Sequence, residues 1–132
     1  MNVIEIAGGR GSGKTLSLMG SVASFIMTQP NVGAQIFVFG SDESSLLTMA
    51  NCLIDIFDDP PKANKAKALV SGGFKKRMST THFYLPTQLR VASTPNLKAI
   101  AIDTYIEGER ERLFKEYEHN KYVQTLWYTE PV

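Results

Sequence analysis

Apolar residues fall along this chain in short runs that alternate with helically spaced positions. Residues 2–7 (Asn-Val-Ile-Glu-Ile-Ala) are β-branched and mostly apolar, which predicts a buried strand. From Lys14 to about Thr28, Met19, Val22, Ala23 and Ile26 recur at i, i+3, i+4 and i+7, one face of a helix. Pro30, Asn31 and Gly33 end it. Ile36 to Phe39 predicts a second buried strand, closed by Gly40. Ser41 or Asp42 is placed to cap a helix whose apolar face is Leu46, Ala50, Leu53, Ile54 and Phe57, and Pro60-Pro61 stops it.

Residues 62–80 carry the weakest pattern, with room for one helical turn before Ser71-Gly72-Gly73 breaks it. Residues 81–85 and 88–92 read as two short strands around Pro86, a hairpin. Lys98 to Asp103 predicts a third buried strand. A charged helix follows at about 107–119, with Glu111 and Lys115 paired at i, i+4, and then a last strand from Tyr122 to Tyr128. Strands alternating with helices imply a mostly parallel sheet covered on both faces, an α/β three-layer sandwich. With 132 residues, no repeat and no linker, the expectation is a single domain over 1–132 of minimal size.

Composition narrows the class. The chain is 43% hydrophobic and 20% charged, which excludes disordered and fibrous classes. No apolar run reaches the roughly 18 residues of a membrane span, and no signal peptide is read, so a cytoplasmic protein is expected. Cys52 is the one cysteine, which leaves no intramolecular disulfide and argues against a cysteine zinc cluster. His82 and His119 are not spaced with it as metal ligands, and Trp127 reads as core.

Residues 8–15, Gly8-Gly9-Arg10-Gly11-Ser12-Gly13-Lys14-Thr15, fit G-x-x-x-x-G-K-[ST] throughout. A predicted strand precedes them and an amphipathic helix follows, the context this phosphate-binding loop requires. Glycines allow backbone N–H groups to close on phosphate oxygens, and the helix N-terminus adds free donors and partial positive charge. In this motif Lys14 reaches the β- and γ-phosphates, and the Thr15 hydroxyl ligates Mg²⁺.

On those residues the chain resembles the P-loop NTPase superfamily. The likeness is sharp over the first 30 or so residues and coarser beyond, where only the order of strands and helices agrees. It implies ATP and Mg²⁺ as cofactors and a second metal-side carboxylate. Ala99-Ile100-Ala101-Ile102-Asp103 looks like a Walker B strand, with Asp103 at the carboxyl end of the sheet, where ligands bind in open α/β folds. A strand between the two motifs in sequence resembles the additional-strand, catalytic-glutamate division, which includes RecA-like, FtsK-like and viral packaging ATPases. Members of that division carry Glu directly after the Walker B Asp. This chain has Thr104 there, and the nearest substitutes as the water-activating base are Glu107 and then Glu109. The resemblance implies a γ-phosphate-reading polar residue at the end of the next strand, which is Thr129, with Thr125 behind it. Arg10, inside the loop, is placed either to touch the γ-phosphate or to face solvent.

Net charge is only +1, but residues 60–98 hold eight basic residues and no acid. Lys62, Lys65, Lys67, Lys75, Lys76 and Arg77 are the expected contacts to a DNA or RNA backbone, against the plainer reading of a solvated surface. The reading that joins these features is an ATPase coupled to nucleic acid, of the packaging or translocation type seen in phages and plasmids, in the host cytoplasm if viral. So small a chain would work as a homo-oligomer or with a partner protein. Two other readings stay open: a nucleotide-gated adaptor or switch with little hydrolysis, and a small nucleoside or nucleotide kinase.

Overall fold

The computed structural model describes residues 1–8, 13–28, 32–57, 64–88, 90 and 95–130. Its elements run β1 (Asn2–Ile6), α1 (Lys14–Thr28), β2 (Gln35–Gly40), α2 (Glu43–Ile56), α3 (Lys65–Gly72), β3 (Phe74–Lys76), β4 (Ser79–Tyr84), β5 (Leu97–Asp103), α4 (Glu109–Tyr117) and β6 (Thr125–Thr129). The strands form one sheet in the order β1-β6-β5-β2-β4-β3, parallel except for β3, which runs antiparallel to β4. The chain is therefore α/β with helices on both sheet faces.

Side-chain alternation assigns the faces. Ile36, Val38, Ala99 and Ala101 point toward α1, α2 and α3, where they meet Leu18, Val22, Leu46, Leu53 and Leu69. Phe37, Phe39, Ile100 and Ile102 point the other way and meet Leu113 and Tyr117 of α4. α1 connects β1 to β2, and α2 with α3 connects β2 to the β3–β4 pair, on the first face; α4 connects β5 to β6 on the second. Among the described residues no helix is long and apolar enough to cross a membrane.

Several expectations need correction. The first strand is not buried: β1 pairs with β6 alone, at the sheet edge, and Val3 and Ile4 are 56% and 43% exposed. The hairpin is not at Pro86. It joins β3 to β4 through Arg77 and Met78, both at positive φ (51° and 65°), a two-residue turn of the kind that matches strand twist. Past β4, residues 85–88 turn, and the rest of the expected second strand falls largely outside the described residues. Glu111 binds Arg110 rather than the expected Lys115, through Nη2 at 2.6 Å. Trp127 is core as expected, edge-on to Phe25 at 5.8 Å between ring centroids.

Candidate nucleotide and metal site

The parallel strands end together, and their carboxyl ends carry the polar residues that the motifs single out. Gly8 follows β1 and Gly13 opens α1, with φ of 146° and 81°, backbone that a Cβ disfavours. The Ser17 N–H donates to the Gly13 carbonyl at 2.9 Å, so the first turn of α1 starts at the end of the motif. Gly9, Arg10, Gly11 and Ser12 lie outside the described residues.

Three side chains from three elements meet here. The Thr15 hydroxyl, in the first turn of α1, donates to Asp103 Oδ2 at 2.7 Å. The Thr129 hydroxyl, at the end of β6, donates to Asp103 Oδ1 at 2.7 Å. Asp103 ends β5, which β6 separates from β1. Lys14 Nζ donates to the Glu130 carbonyl at 2.6 Å, so the ammonium lies over the end of β6. Thr129 is buried. Thr125 begins β6 and pairs with Asn2, which puts it at the opposite end of the sheet.

A wall of this site comes from α2 and is not visible in any motif. Ser44, Ser45 and Thr48 line a cavity of about 120 Å³ together with Thr15 and Asp103. Gly40 lets α2 approach this closely. A Cβ there would lie 2.6 Å from Met49 Cε and 3.2 Å from Ser45 Cβ. Asp42, not Ser41, caps α2, accepting from the Ser45 N–H at 2.8 Å. Its other oxygen accepts from the Tyr105 hydroxyl at 2.6 Å, and these bonds, Tyr105 first, hold its carboxyl below the ordinary carboxylate range.

The donor set is all oxygen: one hydroxyl, one carboxylate and a hydroxyl-lined space large enough for a few waters. That suits Mg²⁺, which keeps several waters and is held by one or two protein groups plus substrate phosphates. Among the described residues no group of three His, Cys, Asp or Glu forms a protein-only metal cage.

Thr104 follows Asp103 where the resemblance would have glutamate. It is buried, and its hydroxyl has no partner among the described residues. Glu107 is exposed in a turn, with no side-chain bond to any described residue. Glu109 is half-buried at the start of α4 and accepts from the Ser41 hydroxyl at 2.9 Å.

The basic segment lies elsewhere. The β3–β4 turn is at the amino end of the sheet, opposite Asp103. Lys65 and Lys67 are on α3; Lys67 and Lys75 are exposed. Lys76 sits over the Phe57 ring, 5.3 Å from its centroid, and Arg77 donates to the Met27 carbonyl at the end of α1. Lys62 lies outside the described residues. Arg90, from the same basic stretch, is an interior residue with a side chain 5% exposed. It binds Tyr117, Glu116 and the carbonyls of Pro86 and Gln88.

No protein-family model matches the chain, and no curated protein matches it.

Proposed function

We propose that this chain binds ATP with Mg²⁺ at the carboxyl end of the sheet and hydrolyses it. The observation that carries this reading is the meeting of Thr15 and Thr129 on the two oxygens of Asp103. Residues singled out by two separate stretches of sequence, 88 positions apart, share one bond in a place where α/β sheets take ligands. In the sheet β6 lies between β1 and β5, whereas β2, the strand that separates the two motifs in sequence, lies beyond β5. In this reading Thr15 and Asp103 hold the metal, which neutralises charge on the phosphates. Lys14 leaves the Glu130 carbonyl for the β- and γ-phosphates, and Thr129 orients Asp103.

Nucleic acid is the proposed partner. The exposed Lys67 and Lys75 support it, together with the acid-free run between residues 60 and 98. The basic hairpin is far from the nucleotide site, so contact there would act on hydrolysis through the sheet rather than by touching phosphate.

The test is binding of a fluorescent ATP analogue with and without Mg²⁺, alongside steady-state hydrolysis with and without DNA. Mg²⁺-dependent binding lost in Lys14→Ala and Asp103→Ala is the expected result. Equal binding by wild type and Lys14→Ala would overturn the reading. Binding without turnover would leave the adaptor alternative in its place.

A further inference from the structure

We propose that Glu109 is the water-activating carboxylate of this site and that Ser41 is its positioning residue. This rests on the nucleotide reading above; it decides for Glu109 over Glu107, the nearer of the two candidates by sequence, and adds Ser41, which no motif assigns.

A general base has to be held in place and still keep an oxygen free for the proton. The carboxylates near the carboxyl end of the sheet divide on that criterion. Asp103 has both oxygens taken, by Thr15 and Thr129. Asp42 has both taken, by the Ser45 N–H and the Tyr105 hydroxyl. Glu43, Glu107 and Glu130 are exposed, and no described residue holds their carboxylates; Glu5 and Glu111 are each held at one oxygen, by the Tyr128 hydroxyl and by Arg110, but both are exposed. Glu109 alone among the described residues here is half-buried with one oxygen tethered, Oε1 to Ser41, and the other without a described partner.

The tether has a direction. The Tyr105 N–H donates to Ser41 Oγ at 2.9 Å. That leaves the Ser41 hydroxyl proton to donate onward to Glu109. Tyr105 lies two residues past Asp103, and Ser41 follows Gly40, which pairs across the sheet with Asp103. The chain Tyr105 N–H, Ser41, Glu109 is therefore anchored at both ends to the strand pair that carries the metal-side carboxylate. It also sits where β2 leads to α2 on one face and β5 leads to α4 on the other. That parting of connections is where open α/β sheets form their ligand crevice.

In the proposed step the oxygen of a water attacks Pγ. The bond from Pγ to the bridging oxygen breaks, and its electron pair leaves on ADP. The water proton passes to the open oxygen of Glu109, which releases it to solvent after phosphate departs. Ser41 keeps the carboxylate turned toward the crevice and takes no part in the proton transfer.

The experiment measures nucleotide affinity, kcat and KM for wild type, Glu109→Gln, Glu107→Gln, Ser41→Ala and Ser41→Thr, with thermal melts as a folding control. Glu109→Gln is expected to bind ATP within about threefold of wild type and to lose turnover by about 10²- to 10⁴-fold. Ser41→Ala is expected to lower kcat by about tenfold with KM held, and Ser41→Thr to recover most of it, because the hydroxyl returns. Turnover retained in Glu109→Gln overturns the assignment, as does the large loss falling on Glu107→Gln instead. Loss of affinity equal to the loss of kcat in a folded Glu109→Gln also overturns it, since that marks a binding or structural role. Wild type that binds ATP without hydrolysis overturns Glu109 and spares the binding site. Wild type that binds no nucleotide overturns both.

Discussion

Thr129 donates its hydroxyl to Asp103 Oδ1 at 2.7 Å from a position only 3% exposed to solvent. Replacing Asp103 with alanine strands that hydroxyl in the interior, at a cost of about 1–3 kcal/mol. Removing both groups removes the stranding. The double variant Asp103→Ala/Thr129→Val is therefore expected to be about 1 kcal/mol more stable than Asp103→Ala alone, in urea unfolding. Additive losses would mean that the bond does not form in solution.

Gly40 sets the distance between β2 and α2. In Gly40→Ala the new methyl group meets Met49, Leu46 and Ser45 at 2.6, 3.0 and 3.2 Å. The long Met49 side chain can yield, but the Ser45 Cβ is fixed to the helix. Overpacking of this kind costs about 1–3 kcal/mol. It also pushes Ser44 and Ser45 away from Thr15 and Asp103, so the Mg²⁺ concentration needed for half-maximal nucleotide binding is expected to rise. A Mg²⁺ titration of the folded variant checks it.

Arg90 fastens the segment after β4 to α4. Its guanidinium lies 4.6 Å from the centre of the Phe39 ring and binds Tyr117, whose hydroxyl pKa is pushed up to about 12 by burial. Truncation to alanine leaves that hydroxyl, Glu116 and two carbonyls without it. We expect Arg90→Ala to lose about 3 kcal/mol in chemical denaturation. Arg90→Lys should recover less than half, because an ammonium cannot reproduce the planar fork. Affinity for DNA should stay the same in both.

His82 makes stability depend on pH. Partial burial, and then the Lys75 charge, lowers its pKa below the ordinary imidazole value. It faces Lys75, bonds Gln35, and lies against Phe37 and Tyr84. The folded form prefers neutral imidazole, so the unfolded chain binds more protons. The contribution is present above the unfolded value of about 6.5 and is lost as pH falls through the lower folded value. Unfolding midpoints should therefore drop as pH falls below about 6.5. The drop should be shallower in His82→Gln, and an unchanged slope in that variant would remove His82 as its source.

Lys67 and Lys75 carry the nucleic-acid proposal. For every lysine–phosphate pairing removed, the slope of log affinity against log salt should fall by about one. Lys67→Ala/Lys75→Ala should weaken DNA binding uniformly across sequences and flatten that slope, with hydrolysis in the absence of DNA unchanged. A salt slope equal to wild type would show that these lysines are only a solvated surface.

How far the fold is legible in the sequence depends on the element. The strand ending in Asp103 is plain because Ala99 to Ile102 is an unbroken apolar run, although only the loop motif gives its terminal carboxylate a use, and α1 and α2 are plain from their 3.6-residue spacing. The β3–β4 hairpin is not, since Arg77 and Met78 adopt left-handed backbone without the Gly or Asn that usually signals it. The exposure of β1 is also hidden. Its composition suits a buried strand, and only strand order places it at the edge. In the site, Thr15 and Asp103 are legible from motif and pattern. Ser44, Ser45 and Thr48 are not, because small hydroxyls in a first helical turn look like capping chemistry and Thr48, one turn on, looks like an ordinary exposed helix position. The Ser41–Glu109 bond joins residues 68 positions apart, which no local pattern reports.

The edge position of β1 bears on how firmly its own backbone is held. Only one side of β1 is laddered, to β6, with Glu130 N–H reaching the Ile6 carbonyl at 3.1 Å as the last rung. Alternate amides of β1 point away from that ladder, and no described strand receives them. Those protons should exchange with deuterium far faster than the amides of β2 and β5, which are bonded on both sides. The strand that delivers the chain into the glycine loop is thus the most weakly clamped of the parallel set. If nucleotide binds as proposed, beside Lys14 and Thr15, it should show first as slower exchange along β1.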